Sequence, residues 1–150
     1  MTPLARQTAR MPRWAWTVIA CGLAWNLFGL FQLVQTLQQT EQTGMMSGMS
    51  AEAARVYYNL PAWMSLAFAL GAGGGALGCL AMAFRWSAAL PILALSAAGY
   101  GTLFLGDWLH GLFDLLPNQL GVLLAVLAIA AGLLATAGAL RRGGVLPHSH

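Results

Sequence analysis

Apolar residues gather into four long runs, and polar residues into the gaps between them. The runs cover about 14–37, 61–84, 87–106 and 120–140. Each holds about 20 residues or more, the length a helix needs to cross a hydrocarbon core of about 30 Å. The pattern predicts an all-α fold, an integral membrane four-helix bundle over residues 14–140. A basic segment, 1–13, precedes it, a connection at 38–60 joins the first two helices, and a short tail, 141–150, follows it.

The runs differ in texture. The first is long enough to tilt, and Trp14 and Trp16 stand where an aromatic belt is expected. Its basic start mimics a signal peptide, but it continues well past a normal h-region, so an uncleaved signal-anchor is expected. In the 38–60 connection Gln38–Gly44 is polar and turn-rich. Ser50 can then cap a short helix from Ala51 to about Tyr58, with Glu52 in its first turn. Pro61 suits the first position of the second long helix. That helix carries Gly71, Gly74, Gly75 and Gly78, with Ala67 and Cys79 continuing the four-residue spacing. In lipid, small residues at this spacing let backbones approach closely, so these glycines are read as a packing surface. Arg85-Trp86 leaves room only for a tight turn, which makes the second and third runs an antiparallel hairpin. Gly106 to Gln119 either extends the third helix or lies along the interface. The tail from Gly143 is read as unstructured.

Composition agrees with a lipid environment. The chain has 150 residues, of which 59% are hydrophobic and 7% charged, with mean hydropathy +0.68. A soluble surface needs far more charge, about a quarter of all residues. The net charge is +3, carried by seven Arg with no Lys. Arg6, Arg10, Arg13, Arg85, Arg141 and Arg142 fall on one side of the expected bundle, and Arg55 alone on the other. Glu41, Glu52, Asp107 and Asp114 all share the side of Arg55. By the positive-inside rule both termini are expected in the cytoplasm, with the protein in the inner (plasma) membrane. The Arg are scattered at helix ends rather than gathered into a stripe. They are therefore read as anchors facing anionic headgroups, and nucleic acid is not an expected partner. Cys21 and Cys79 fall near the cytoplasmic helix ends at similar depth, where a reducing environment makes packing residues of them.

Few residues offer chemistry. Asn26 lies near the middle of the first helix, where an amide must find a partner. It serves either an interhelical hydrogen bond or a bound solute. Gln32, Tyr100 and Thr102 join it on an expected outward-facing polar pocket. Asp107, His110 and Asp114, spaced i, i+3 and i+7, would share one face of a continuous helix. They are read as interfacial residues or as a ligand-binding or pH-sensitive cluster; a metal site lacks further ligands. Met46 and Met49 have the spacing of a Cu(I) thioether pair, but no Cys or His accompanies them. No nucleophile–base set, zinc-protease, phosphate-loop or dinucleotide pattern occurs, so neither an enzyme nor a cofactor is expected.

The segments Trp25-Asn26-Leu27-Phe28-Gly29, Tyr57 to Pro61-Ala62-Trp63 and Gly74-Gly75-Ala76-Leu77-Gly78-Cys79-Leu80 resemble a group of small bacterial four-helix inner-membrane proteins often labelled sugar transporters. The likeness covers most of residues 14–90 and implies the same topology. Two functions are open on these grounds. The favoured one is an accessory subunit in a homo-oligomer or with a membrane-protein partner, packing through Gly/Ala helix faces. The other is a small-solute transporter or binding protein with an outward-facing pocket.

Overall fold

The structure, a computed structural model, describes residues 10–147. Arg6, His148 and His150 lie outside the described residues. The described residues are helical in seven pieces: α1 (Arg13–Gln38), α2 (Glu41–Met46), α3 (Ala51–Tyr58), α4 (Ala62–Ala83), α5 (Ala89–Leu109), α6 (Leu112–Leu115) and α7 (Pro117–Arg142). Four of these, α1, α4, α5 and α7, are long and apolar enough to cross a membrane. By that length and composition the chain is a multi-pass membrane protein. Both described chain ends and the α4–α5 turn lie at one end of the bundle, the termini end. The short helices α2, α3 and α6 lie at the other, the loop end.

Glycines determine how closely the helices meet. α4 and α5 form the most intimate pair, with α1 against α4 and α7 against α5. Gly99 of α5 faces the α4 backbone at Ala67 and Gly71, and Gly74 faces Ser96 of α5. The Ser96 hydroxyl donates to the Gly71 carbonyl at 2.5 Å. Gly71 accommodates the Tyr100 ring, Gly78 the Leu93 side chain and Gly75 the Asn26 amide. Gly71, Gly74, Gly75 and Gly78 thus all face α1 or α5 within the chain. None of the four is left on an outer face of α4, where a partner would need it.

The termini end is densely filled. Ala15, Ile19, Cys79, Met82, Ala89, Leu93, Leu133, Ala137 and Leu140 form its core. Val145 and Leu146 belong to the same core at 6% and 2% exposure. This corrects the reading of the tail, whose described part, 143–147, folds back onto the bundle. Gly144 enables the return at φ 71°, while the Val145 amide donates to the Leu140 carbonyl at 2.9 Å and the Gly144 amide to that of Arg141 at 3.1 Å. This is a Schellman-type helix end. α4 ends in the same way, with Arg85 at φ 60° and the Trp86 amide on the Ala81 carbonyl. The two ends are joined: Arg85 Nε and Nη2 each donate to the Val145 carbonyl at 3.1 Å. The cysteines are not equivalent, because Cys79 is buried and Cys21 exposed.

The outer surface is apolar. Leu27, Phe31, Val34, Leu66, Leu77, Leu95, Leu105 and Leu124 are exposed around the bundle, as expected where lipid is the solvent. Trp14, Trp16 and Trp86 are exposed at the termini end, and Trp63 and Trp108 at the loop end. Such an arrangement suits two interfacial belts.

Helix boundaries depart from expectation mainly at the loop end. α5 runs to Leu109, three residues further than read, and α7 starts at Pro117, three residues earlier. Between them Gly111 turns the chain at φ 67° and α6 makes one short turn. Glu41–Met46, read as a polar turn, is the helix α2, started by a reciprocal cap between Thr40 and Thr43. α3 spans the expected residues, capped by Ser50 Oγ on the Ala53 amide at 3.1 Å.

Candidate functional site

The bundle is packed at its termini end and open inside at its loop end. There a cavity of about 510 Å³ lies among all four long helices. Its size falls within the usual range for small-molecule sites. α1 contributes Trp25, Phe28, Gln32, Leu33 and Thr36 to its wall, α4 Ser65 and Phe68, and α5 Tyr100, Leu103 and Asp107. α7 adds Gln119 and Val122, and the segment around the end of α3 adds Tyr57, Tyr58 and Leu60.

Asn26 and Tyr100 form a buried pair, of which only Tyr100 is on the cavity wall. The Tyr100 hydroxyl donates to Asn26 Oδ1 at 3.0 Å, and Asn26 Nδ2 donates to the Gly22 carbonyl one turn back at 2.8 Å. Both side chains are buried, at 2% and 3% exposure. The pair spans α1 and α5 across α4, which is possible only because Gly71 and Gly75 leave the intervening helix surface bare. Of the two roles open for Asn26, the interhelical hydrogen bond is the one present. The bond therefore lies behind the cavity wall, on the side of the packed half.

Asp107 is the residue most changed by the fold. Its carboxylate is 2% exposed, although its place near a helix end suggested a solvated group. Its Oδ2 accepts from Gln119 Nε2 of α7 at 2.8 Å. Its other oxygen takes no hydrogen bond from any described residue, and Asp107 lines the cavity. Gly106, one residue earlier, allows this burial by admitting Trp63 and Met64 of α4 against the helix.

The expected Asp107–His110–Asp114 face does not form. α5 stops at Leu109, and the left-handed Gly111 redirects the chain, so the three no longer follow one helical register. His110 is exposed and its Nδ1 lies 2.8 Å from the Gly106 carbonyl, an acceptor, so Nδ1 carries the proton. Asp114 is exposed on α6. Among the described residues no group of three His, Cys, Asp or Glu is placed to hold a metal ion. Gln32 is on the cavity wall. Thr102 is not: it is exposed and its hydroxyl donates to the Ala98 carbonyl at 2.9 Å.

Side-chain hydrogen bonds tie the loop-end segments together beside the cavity. The Tyr58 hydroxyl donates to Gln39 Oε1 at 2.8 Å, tying α3 to the end of α1. Burial, then the neighbouring Tyr57, pushes the Tyr58 phenol above its ordinary pKa. Asn59 Nδ2 donates to Glu41 Oε1 and to the Arg55 carbonyl, joining α2 to α3. Sequence reasoning missed Gln119, Ser65, Phe68 and these tyrosines as wall residues. Gln119 carried the one available signal, a polar residue at the start of an apolar helix.

No family model, curated protein or solved structure matches the chain.

Proposed function

We propose that this membrane protein binds a small solute in the cavity at the loop end of its bundle. The observation that carries the reading is that cavity of about 510 Å³, walled by aromatic and aliphatic side chains and a few polar groups. Such a mixture of apolar surface and sparse convergent polar groups is what small-molecule sites present. The sequence favoured an accessory subunit instead, packing through the Gly/Ala faces of the second and fourth long helices, α4 and α7. The α4 glycines are occupied by α1 and α5, which leaves that reading to α7 and favours the solute reading for the rest of the bundle. Passage across the membrane would require the Asn26–Tyr100 contact to part, so binding is the first function and transport a further step.

The cavity is assigned to the extracytoplasmic side by the positive-inside rule. Arg10, Arg13, Arg85, Arg141 and Arg142 are at the opposite end of the bundle. On that assignment both termini are cytoplasmic and the membrane is the inner one. The resemblance to small four-helix inner-membrane proteins agrees with this topology.

A screen of thermal stability with small solutes tests the reading, comparing the wild type with a variant that fills the cavity, Ser65→Trp. Solutes that stabilise the wild type are expected to lose that effect in the variant. If every solute acts equally on both, the cavity is not a binding site.

A second reading, association through α7, has its own observation. Gly121, Ala125, Ala128, Gly132, Ala135 and Ala139 are all exposed and alternate in spacings of four and three. Nothing lies within 4 Å of a methyl built on Gly121 or Gly132. A helix of a second copy or another membrane protein fits such a seam.

A further inference from the structure

We infer that the solute is an organic ammonium ion, with Asp107 as its counter-ion; this rests on the cavity being a solute site. The cavity wall carries one charged side chain, Asp107, and no Arg or His among the described residues. That carboxylate is 2% exposed inside a membrane helix. One oxygen is held by Gln119, and no described residue forms an ion pair with it. A carboxylate withdrawn from water is costly unless something supplies the opposite charge. The protein supplies little: His110, one turn on, acts on Asp107 through its charge but is exposed, directs Nδ1 at its own helix backbone and forms no ion pair with it.

The remaining wall suits a cation whose body is apolar. Trp25, Phe68 and Tyr58 line the same cavity. Aromatic faces attract ammonium groups most strongly where water is excluded. Among the polar wall groups, Thr36 is engaged with the Gln32 carbonyl and Tyr58 with Gln39, while the Gln32, Ser65 and Tyr57 side chains can still hold a polar part of the solute. What sets a substituted ammonium apart is its need for charge and aromatic contact, which Asp107 and the rings supply. Outside the cavity, Glu41, Glu52 and Asp114 outnumber Arg55 at the loop end, giving a field that attracts cations.

The test uses the full chain in lipid nanodiscs and two probes of the same shape. Benzyltrimethylammonium carries the charge; neopentylbenzene replaces its nitrogen by carbon. Saturable binding of the radiolabelled cation is expected above that of empty discs. The neutral probe is expected to compete about tenfold less well, or worse, and Asp107→Asn to weaken the cation by a similar factor. The comparison of probes on the wild type needs no variant, so it stands even if D107N does not fold. Equal competition by the neutral probe, or unchanged affinity in a folded D107N, would overturn the ammonium assignment. So would absence of saturable cation binding. If neutral solutes still distinguish the wild type from Ser65→Trp in that case, the cavity remains a solute site and only its charge preference is wrong.

Discussion

Two glycines, two residues apart on α4, show how much one missing side chain decides. A methyl on Gly75 would overlap the Asn26 amide, whereas a methyl on Gly73 meets nothing within 4 Å. Gly75→Ala should therefore displace Asn26 from Tyr100 and destabilise the fold by about 1–3 kcal/mol, the usual scale of overpacking. Gly73→Ala should be neutral or stabilising by up to about 1 kcal/mol, since alanine is the better helix former. Unfolding midpoints in mixed detergent, measured side by side, check both. Equal effects would mean that Gly75 is not the close-approach point. Loss of the Tyr100 hydroxyl in Tyr100→Phe leaves Asn26 Oδ1 without its donor, and should cost about 1 kcal/mol by the same measurement. The need for a partner at Asn26 was legible in the sequence, because an amide at mid-helix stands out among apolar neighbours. Its partner was not, since Tyr100 is 74 positions away and the link depends on two bare spots on a third helix.

At the scale of elements, the four spans and α3 follow from run length and capping chemistry. The ends of elements do not, because they depend on where neighbouring elements dock. The segment after α7 is the clearest case. Gly143-Gly144-Val145-Leu146 reads as a loose tail, yet Leu146 is 2% exposed and Arg85 binds the Val145 carbonyl. Leu146→Ala should lower stability by about 2–3 kcal/mol, in the range for large-to-small changes in a core. Pro147→Ala, at an exposed position, should change it by less than about 0.5 kcal/mol. If the two variants unfold together in detergent titrations, the returning segment contributes no packing. The breakdown of the Asp107–His110–Asp114 face has the same origin. Helical spacing groups residues only while the helix lasts, and Gly111 ends the register.

For the whole molecule, the charge distribution and the α7 seam lead to separate expectations. A reporter active only in the cytoplasm, fused after the last residue, should be active, and one active only outside should be silent. The reverse result would invert the bundle and place the cavity on the cytoplasmic side. If α7 is a seam between copies, a cysteine at Gly132 should cross-link across two chains in native membranes, whereas one at Leu77 on the exposed side of α4 should not. Equal cross-linking at both would remove the preference for α7.

Hydropathy and charge in the sequence determined the environment, the number of spans and the expected orientation, because each is a sum over many residues of transfer energies that act locally. The tertiary structure decided which small residues face each other, which polar groups meet, and where the bundle leaves space. These depend on the relative placement of distant helices. Asp107 joins the two levels: its position in the chain put it near a helix end, but packing by Gly106 and Gln119 withdrew it from water and placed it on the cavity wall.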